Sequence, residues 1–219
     1  MKVLELFAGS CIFSITAQKR NHETFTIDII DNENIDLVKD ILKLEKSDIP
    51  FYPDLIWCSP PCRTFSLASC HIHWNADGTP KTQDCLKGLK ILDKTLEVLS
   101  WFPQSVYYIE NPMGKMRLNI RGLDRRHINY CKYGLDVMKP TDIWSNNFYD
   151  MFNYYGWQPR PECSRKNSQC HHIKVPRGSG KGTTAMNRNY YRSILPAQLC
   201  IEVIKATEKK INYEKKSFV

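Results

Sequence analysis

The first twenty residues follow the order strand, tight turn, helix. Residues 2–7 form a short apolar run that stops at Ala8-Gly9-Ser10, and residues 12–19 have the spacing of a helix. Three more short apolar runs, each followed by turn-type residues, predict further strands. They lie at residues 24–29, 54–58 and 106–110. This alternation restricts the chain to an α/β fold with a mostly parallel sheet.

A long helix is predicted between the third and fourth of these runs, because leucines recur there every three or four residues. They are Leu86, Leu89, Leu92, Leu96 and Leu99. Strands joined by such helices form a doubly wound sheet, whose ligand crevice lies beyond the carboxyl ends of the strands. We therefore expect the functional residues directly after the predicted strands.

The amino-acid composition of the chain changes after Trp144. Residues 146–182 are rich in Asn, Gly, Pro, Cys and His and have little periodicity, and a helix led by Pro196 follows them. We predict three parts. They are a main domain at residues 1–146, a small irregular insertion at 147–190, and a C-terminal helix at 191–219 that returns to the main domain.

The charge and the cysteine content of the chain indicate its kind of partner and the state of its thiols. The 219 residues include 31 Lys and Arg against 23 Asp and Glu, a formal net charge of +8. This surplus favours a nucleic-acid partner, although a merely basic surface gives the same balance. Nine cysteines, an odd number, indicate free, catalytic or metal-bound thiols rather than disulfides. We see no signal peptide and no apolar run of about 18 residues, so we expect a cytoplasmic protein without membrane association.

The loop after the first predicted strand suits a nucleotide-like ligand. The small residues of Phe7-Ala8-Gly9-Ser10 let backbone amides and a helix N-terminus approach such a ligand. Asp28, which ends the second strand, can accept hydrogen bonds from ribose hydroxyls, and Asp40 can meet an adenine amine. The alternative interpretation is a tight turn at the glycine and surface caps at the two acids.

Two residues that follow later strands are candidates for the chemistry. Pro60-Pro61-Cys62 presents a thiol in a rigid loop beside Arg63, where it can act as a nucleophile; an inert buried thiol is the alternative. Glu110 ends the adjacent predicted strand and can share a pocket with Cys62. Its carboxyl group can stay protonated if desolvated and serve as an acid. A capping or salt-bridged Glu110 is the alternative.

In this order, these motifs resemble those of the cytosine-5 DNA methyltransferases, particularly the short members found in phages and mobile elements. The resemblance rests on residues 3–9 (VLELFAG), on Pro60-Pro61-Cys62 with Phe65-Ser66, and on Glu110-Asn111-Pro112. It implies a Rossmann-like methyltransferase fold. Residues 1–146 are then the catalytic domain, which binds S-adenosyl-L-methionine, and residues 147–190 recognise the target.

The resemblance also implies roles for individual residues. Cys62 attacks carbon 6 of cytosine, and Glu110 donates a hydrogen bond or proton to ring nitrogen 3, so that carbon 5 can accept the methyl group. Lys139 keeps a charge where the family has a Gln and two Arg, and completes the predicted catalytic set; Cys11 replaces the second glycine of the cofactor loop. The implied cofactor-binding residues are Phe7, Ala8, Gly9, Ser10, Asp28, Ile29, Asp40, Ile41 and Pro60.

The insertion contains soft and imidazole ligands that can hold one zinc ion, although polar loop residues are the alternative. They are Cys163, Cys170, His171 and His172. The insertion also has basic residues interspersed with aromatic ones, which can follow phosphates or form a solvated loop. These are Arg160, Arg165, Lys166, Lys174, Arg177, Lys181 and Arg188, with Trp157 and Tyr190 among them.

The predicted function is therefore transfer of a methyl group from S-adenosyl-L-methionine to carbon 5 of cytosine in DNA, through a covalent cysteine adduct. We expect a monomer that acts on double-stranded DNA in a phage or restriction-modification setting. Two alternatives stay open. One is the same chemistry on RNA or a cytidine nucleotide, and the other is an inactive DNA-binding accessory protein.

Overall fold

The computed structural model describes residues 1–164, 170, 172 and 194–217. The strands of this part of the chain are β1 (Lys2–Leu6), β2 (Glu23–Asp28), β3 (Leu37–Val38), β4 (Leu55–Cys58), β5 (Val106–Pro112), β6 (Arg125–Asn129) and β7 (Pro140–Ser145). The helices are α1 (Ile12–Gln18), α2 (Cys70–His73), α3 (Gln83–Ser100) and α4 (Ala197–Ser217). Among the described residues, no helix is long and apolar enough to cross a membrane.

All these strands belong to one sheet with the order β3-β2-β1-β4-β5-β7-β6. The pairs from β3 to β5 are parallel, whereas β7 runs antiparallel to both β5 and β6. β1 lies between β2 and β4, so the strand order reverses direction there, and a ligand crevice is expected at the carboxyl ends of these strands. The predicted α/β fold with a doubly wound, mostly parallel sheet is confirmed.

Alternating side chains along the strands divide the core into two layers. Val3 and Tyr108 face the layer that contains α1 and α4. Leu4 and Ile109, their chain neighbours, face the layer that contains α3. Because both faces are covered, the central strands are apolar at almost every position, and Leu55–Cys58 is buried throughout.

The four strands expected from apolar runs, and the first helix, are confirmed to within two residues. The helix expected from leucine spacing is α3, and the C-terminal helix expected at residues 191–219 is α4, which begins at Ala197. The sequence analysis missed β3, β6 and β7. β3 has only two residues. β6 begins with the exposed Arg125 and Arg126, and β7 contains Asp142, so neither shows the apolar pattern of a strand.

Asp142 is fully buried because basic side chains surround it. Its carboxylate accepts hydrogen bonds from Arg117, whose Nη2 lies 2.6 Å from Oδ1, and from Arg125, whose Nη1 lies 3.0 Å from Oδ1. His127 Nδ1 lies 3.2 Å from the same oxygen. Burial alone raises the pKa of Asp142, but the hydrogen bonds and charge of Arg117, with His127 and Arg125, lower it overall. This cluster joins β6 and β7 to the turn that follows β5.

The start of the predicted insertion packs into the main core. Phe148 and Trp157 are buried in the same layer as Tyr108 and α4, with 5.9 Å between their ring centroids. Trp157 is only 2% exposed. It therefore cannot stack on a nucleic-acid base, which corrects its inclusion among the phosphate-following aromatic residues. Both residues lie just after the boundary predicted between residues 146 and 147.

Candidate active site

The loop between β1 and α1 has an unusual backbone. Phe7, Gly9 and Cys11 all have positive φ angles, of 59°, 51° and 53°. Glycine adopts this region without steric cost, whereas the two other residues must be held there by their surroundings. The loop is tied to the end of β2, because the Gly9 amide donates a hydrogen bond to Asp28 Oδ2 at 2.9 Å. Ala8 is buried beside it, and Ser10 is half-buried.

The end of β2 combines an acid with exposed apolar side chains. Asp28 is half-buried, and its second oxygen accepts the Ile30 amide at 2.9 Å. Ile29 is 62% exposed although it is aliphatic. An acid beside an exposed apolar side chain matches the needs of a ligand with hydroxyl groups and an aromatic base.

Asp40 and Ile41 lie near Asp28, because the amide of Lys39 donates to the Asp28 carbonyl at 2.9 Å. Asp40 caps a 3-10 turn over Ile41–Lys43 and accepts the Leu42 amide at 3.0 Å. Ile41 is only 7% exposed and packs in the α3 layer of the core. The structure thus brings the predicted cofactor residues of β2, Asp40 and Ile41 to one edge of the sheet.

Glu110 lies near the end of β5 and is only 5% exposed. Tyr130, in a 3-10 turn over Tyr130–Tyr133, donates its hydroxyl proton to Glu110 Oε1 at 2.7 Å. Lys139 Nζ lies 3.7 Å from the same oxygen and 4.3 Å from the centroid of the Tyr130 ring. The carboxyl group is therefore held by one hydrogen-bond donor and one cation.

Tyr130 stays protonated in this position. Burial raises the pKa of its hydroxyl well above the ordinary value, and the negative charge of Glu110 raises it further. Tyr130 did not emerge from the sequence, because twenty residues separate it from Glu110. Lys139 was predicted, and the structure brings it to Glu110.

The loop that carries Cys62 is tied to the end of β5. Cys58 and Ile109 are paired residues of β4 and β5, so the residues after them begin at the same sheet edge. Asn111 Nδ2 donates a buried hydrogen bond to the carbonyl of Pro60 at 2.8 Å. Cys62 is exposed, and its carbonyl accepts the amides of Phe65 and Ser66 at 3.0 and 2.9 Å, which makes a tight turn after the thiol.

A second contact joins the same two segments. Ser66 and Gly114 form an isolated β-bridge, and the Lys115 amide donates to the Phe65 carbonyl at 2.7 Å. A Cβ atom at Gly114 would lie 2.0 Å from that carbonyl oxygen. Only glycine allows the backbones to come this close.

Glu5 is a buried acid on the other side of the cofactor loop. Its Oε2 accepts the Ser14 amide at 2.8 Å. Burial raises its pKa to about 7, although hydrogen bonds from Ser14 act in the opposite direction. Burial, and then the charge of Glu5, also raise the pKa of Cys11 to about 12. Both side chains are buried beneath the loop.

A cluster of metal-ligand side chains lies next to Tyr130. Its members, which we call the Cys-His cluster, are Cys131, Cys163, Cys170 and His172, with all four ligand atoms within 4.8 Å of one another. Three of these residues were predicted as ligands. Cys131 was not, because it precedes Cys163 by 32 residues, and the predicted His171 lies outside the described residues. Burial, with the neighbouring thiols of Cys163 and Cys170, raises the pKa of Cys131 to about 12.

The strand order is that of a doubly wound, Rossmann-like sheet, which confirms the predicted fold class. No protein-family model matches the chain. A curated protein of Frog virus 3 (isolate Goorha), named "Probable DNA (cytosine-5)-methyltransferase", is 29% identical over 154 residues, which are 67% of this chain and 71% of the viral protein. The resemblance to cytosine-5 DNA methyltransferases is thereby confirmed.

Two solved structures are also similar. One is of a candidate DNA modification methyltransferase encoded within an Escherichia coli prophage, with 14% identity, a TM-score of 0.49, and coverage of 66% of this chain and 46% of that one. The other is Dnmt2 methyltransferase of Schizosaccharomyces pombe, with 16% identity, a TM-score of 0.41, and coverage of 66% and 48%. The chain thus covers less than half of each solved structure.

Proposed function

We propose that the chain transfers a methyl group from S-adenosyl-L-methionine to carbon 5 of cytosine in DNA, through a covalent adduct of Cys62. One observation carries the proposal. The hydrogen bond from Asn111 to the Pro60 carbonyl joins the loop of the nucleophile to the strand end of the acid, Glu110. The name of the Frog virus 3 relative supports the same reaction.

In the proposed reaction, Cys62 begins the covalent chemistry. Its thiolate adds to carbon 6 of the base, and the new carbon–sulfur bond makes carbon 5 nucleophilic. Carbon 5 would then bond to the methyl group while the bond between that group and the sulfonium sulfur breaks, which releases S-adenosyl-L-homocysteine. The proton of carbon 5 would pass to water, and the bond between carbon 6 and Cys62 would break to restore the ring and the thiolate. The exposure of Cys62 supports this role, because the target base must reach the sulfur.

Glu110 neutralises the charge that the adduct places on the ring. Its carboxyl group donates a hydrogen bond or proton to ring nitrogen 3. Tyr130 and Lys139 both act on Oε1 of that carboxyl group, so they are positioning residues that fix its direction. The proposed reaction needs both the acid and the thiol, because adduct formation and charge neutralisation occur on the same ring.

The β1–α1 loop and the end of β2 fit S-adenosyl-L-methionine, which supplies an electrophilic methyl group on a sulfonium. The exposed Ile29 offers an apolar surface to an adenine ring, and Asp28 offers carboxylate oxygens to ribose hydroxyls. The other proposed contacts are those of Phe7, Ala8, Gly9, Ser10, Asp40, Ile41 and Pro60.

Double-stranded DNA is the proposed acceptor. The net charge of +8 favours a polyanion, and a stacked cytosine must be flipped out before its carbon 6 can meet a thiol. RNA or a cytidine nucleotide is the second candidate. It is favoured by the burial of Phe148 and Trp157, which shortens the segment available for reading a duplex sequence.

The test is transfer of a tritiated methyl group from S-adenosyl-L-methionine to three acceptors: duplex DNA of varied sequence, a cytosine-containing transcript, and a cytidine nucleotide. We expect label in duplex DNA, its loss in Cys62→Ser, and its retention in Cys70→Ser, which changes a half-buried thiol in α2. Undiminished label in Cys62→Ser would refute the covalent route. Label only in the transcript or nucleotide would establish the second candidate, and cofactor binding without label in any acceptor would indicate an accessory protein.

A further inference from the structure

The Cys-His cluster draws ligand atoms from two distant parts of the chain. Cys131 comes from the 3-10 turn after β6, whereas the three other members come from the segment that follows β7. Three sulfur atoms and one imidazole nitrogen, all within 4.8 Å of one another, form a donor set of the kind that binds zinc in structural sites.

The spacing of the atoms fits one tetrahedral ion. With zinc–sulfur bonds of about 2.3 Å and a zinc–nitrogen bond of about 2.0 Å, a tetrahedral site has sulfur–sulfur edges of about 3.8 Å and sulfur–nitrogen edges of about 3.5 Å. The distance between Cys163 Sγ and His172 Nε2 is 3.5 Å. Two such atoms already have the separation that a shared zinc ion requires.

Two of the ligands are held in place by the surrounding protein. The Cys163 amide donates a buried hydrogen bond to Asn129 Oδ1 at 2.7 Å. Arg160, three residues before Cys163, also binds the turn that contains Cys131. Its Nη1 donates a hydrogen bond to the Lys132 carbonyl at 2.6 Å, and its amide donates to the Tyr133 hydroxyl at 3.0 Å. These contacts set the segment before Cys163 against the turn that contains Cys131.

We propose that the Cys-His cluster binds one Zn²⁺ in a closed, structural site with three thiolates and one neutral imidazole. The ion would fasten Cys170 and His172 to Cys131, whose chain neighbour Tyr130 holds Glu110. The site would therefore attach Cys163, Cys170 and His172 to the turn that begins at Tyr130, beside the candidate active site. The proposal is independent of the proposed function, since metal content is its readout.

The test is the zinc content of the full chain, purified without chelators and measured by inductively coupled plasma mass spectrometry. We expect one zinc per chain in the wild type and in Cys70→Ser, and loss of the metal in Cys131→Ser. His172→Ala is expected to lose zinc, whereas His172→Cys, which supplies a fourth thiolate, is expected to keep it. Full zinc content in Cys131→Ser would overturn the proposed ligand set.

A second measurement uses only the wild type, in case the variants do not fold. Co²⁺ replaces the metal, and its absorption spectrum reports thiolate ligands and tetrahedral geometry. Thiolate-to-cobalt absorption with tetrahedral d–d bands supports the proposal. Absence of both, together with no stoichiometric zinc in chain produced in zinc-supplied cells, would overturn it, as would a Cys131–Cys163 disulfide in the intact protein.

Discussion

Asn111 Nδ2 lies 2.8 Å from the carbonyl oxygen of Pro60, and this buried hydrogen bond joins the ends of β4 and β5. Asn111 follows Glu110, and Pro60 precedes Cys62 by two residues. This side chain, together with the Ser66–Gly114 bridge, ties the loop of Cys62 to the strand end that carries Glu110.

Asn111→Ala is expected to leave the Pro60 carbonyl buried without this donor. Such a loss costs about 1 to 3 kcal/mol of unfolding free energy. We expect methyl transfer to fall at least about tenfold, since the loop of Cys62 loses its tether. Asn119→Ala is the matched control, because it also removes an amide-to-carbonyl bond, to Lys115, outside the Cys62 loop. Denaturant unfolding and tritium transfer measure the two effects. Equal loss of activity in both variants would contradict the assigned role.

Tyr130→Phe removes the hydroxyl that donates to Glu110 but keeps the buried ring. We expect folded protein with unchanged cofactor binding and a rate of methyl transfer lowered about tenfold or more, because the carboxyl group loses its orienting donor. Tyr52→Phe, which removes an exposed hydroxyl that accepts the Gln104 amide, is the control. A wild-type rate of methyl transfer in Tyr130→Phe would exclude a positioning role.

The raised pKa of Glu5 predicts that the folded protein loses stability as pH rises. Its pKa is raised to about 7 in the folded protein, so the folded state holds a proton that the unfolded state releases near pH 4.3. The associated stability is present below the unfolded pKa and is lost as pH rises through 7, a change on the order of 3 to 4 kcal/mol. Glu5→Gln should remove this part of the pH dependence. Urea titrations between pH 5 and 8 measure it, and parallel curves for the two proteins would count against a protonated Glu5.

The lowered pKa of Asp142 predicts that stability depends on pH with the sign opposite to that for Glu5. Its pKa is lowered in the folded protein, so its contribution to stability is present above the unfolded pKa of about 3.9 and is lost as pH falls through the folded pKa. Asp142→Asn should cost about 3 kcal/mol at pH 7, because Arg117 and Arg125 lose their buried partner. It should also flatten the acid limb of the stability curve below about pH 4. Thermal unfolding across pH 3 to 7 provides the comparison, and an unchanged acid limb would argue against this ion-pair cluster.

The sequence predicted best those strands whose residues are almost all apolar. Apolar runs predicted β1, β2, β4 and β5, because central parallel strands are buried on both faces. β6 and β7 were missed because their charges, such as Asp142, are compensated only by residues distant in the chain.

The residues of the candidate site also fall into two groups, those that the sequence predicted and those that it missed. Cys62 and Glu110 stand in short motifs at strand ends and were predicted from them. Tyr130 and Cys131 have no such motif. Their roles arise from contacts with Glu110 and Cys163 that form only after the chain has folded. Sequence spacing could not supply these contacts.

The most direct test of the central claim is trapping of the chain on duplex DNA that contains 5-fluorocytosine, in the presence of S-adenosyl-L-methionine. Fluorine at carbon 5 cannot leave as a proton does, so the adduct should persist. We predict a one-to-one covalent complex whose cross-linked peptide contains Cys62, and no complex with Cys62→Ser. Methyl transfer to ordinary DNA without any trapped complex, or a complex through another cysteine, would contradict the claim.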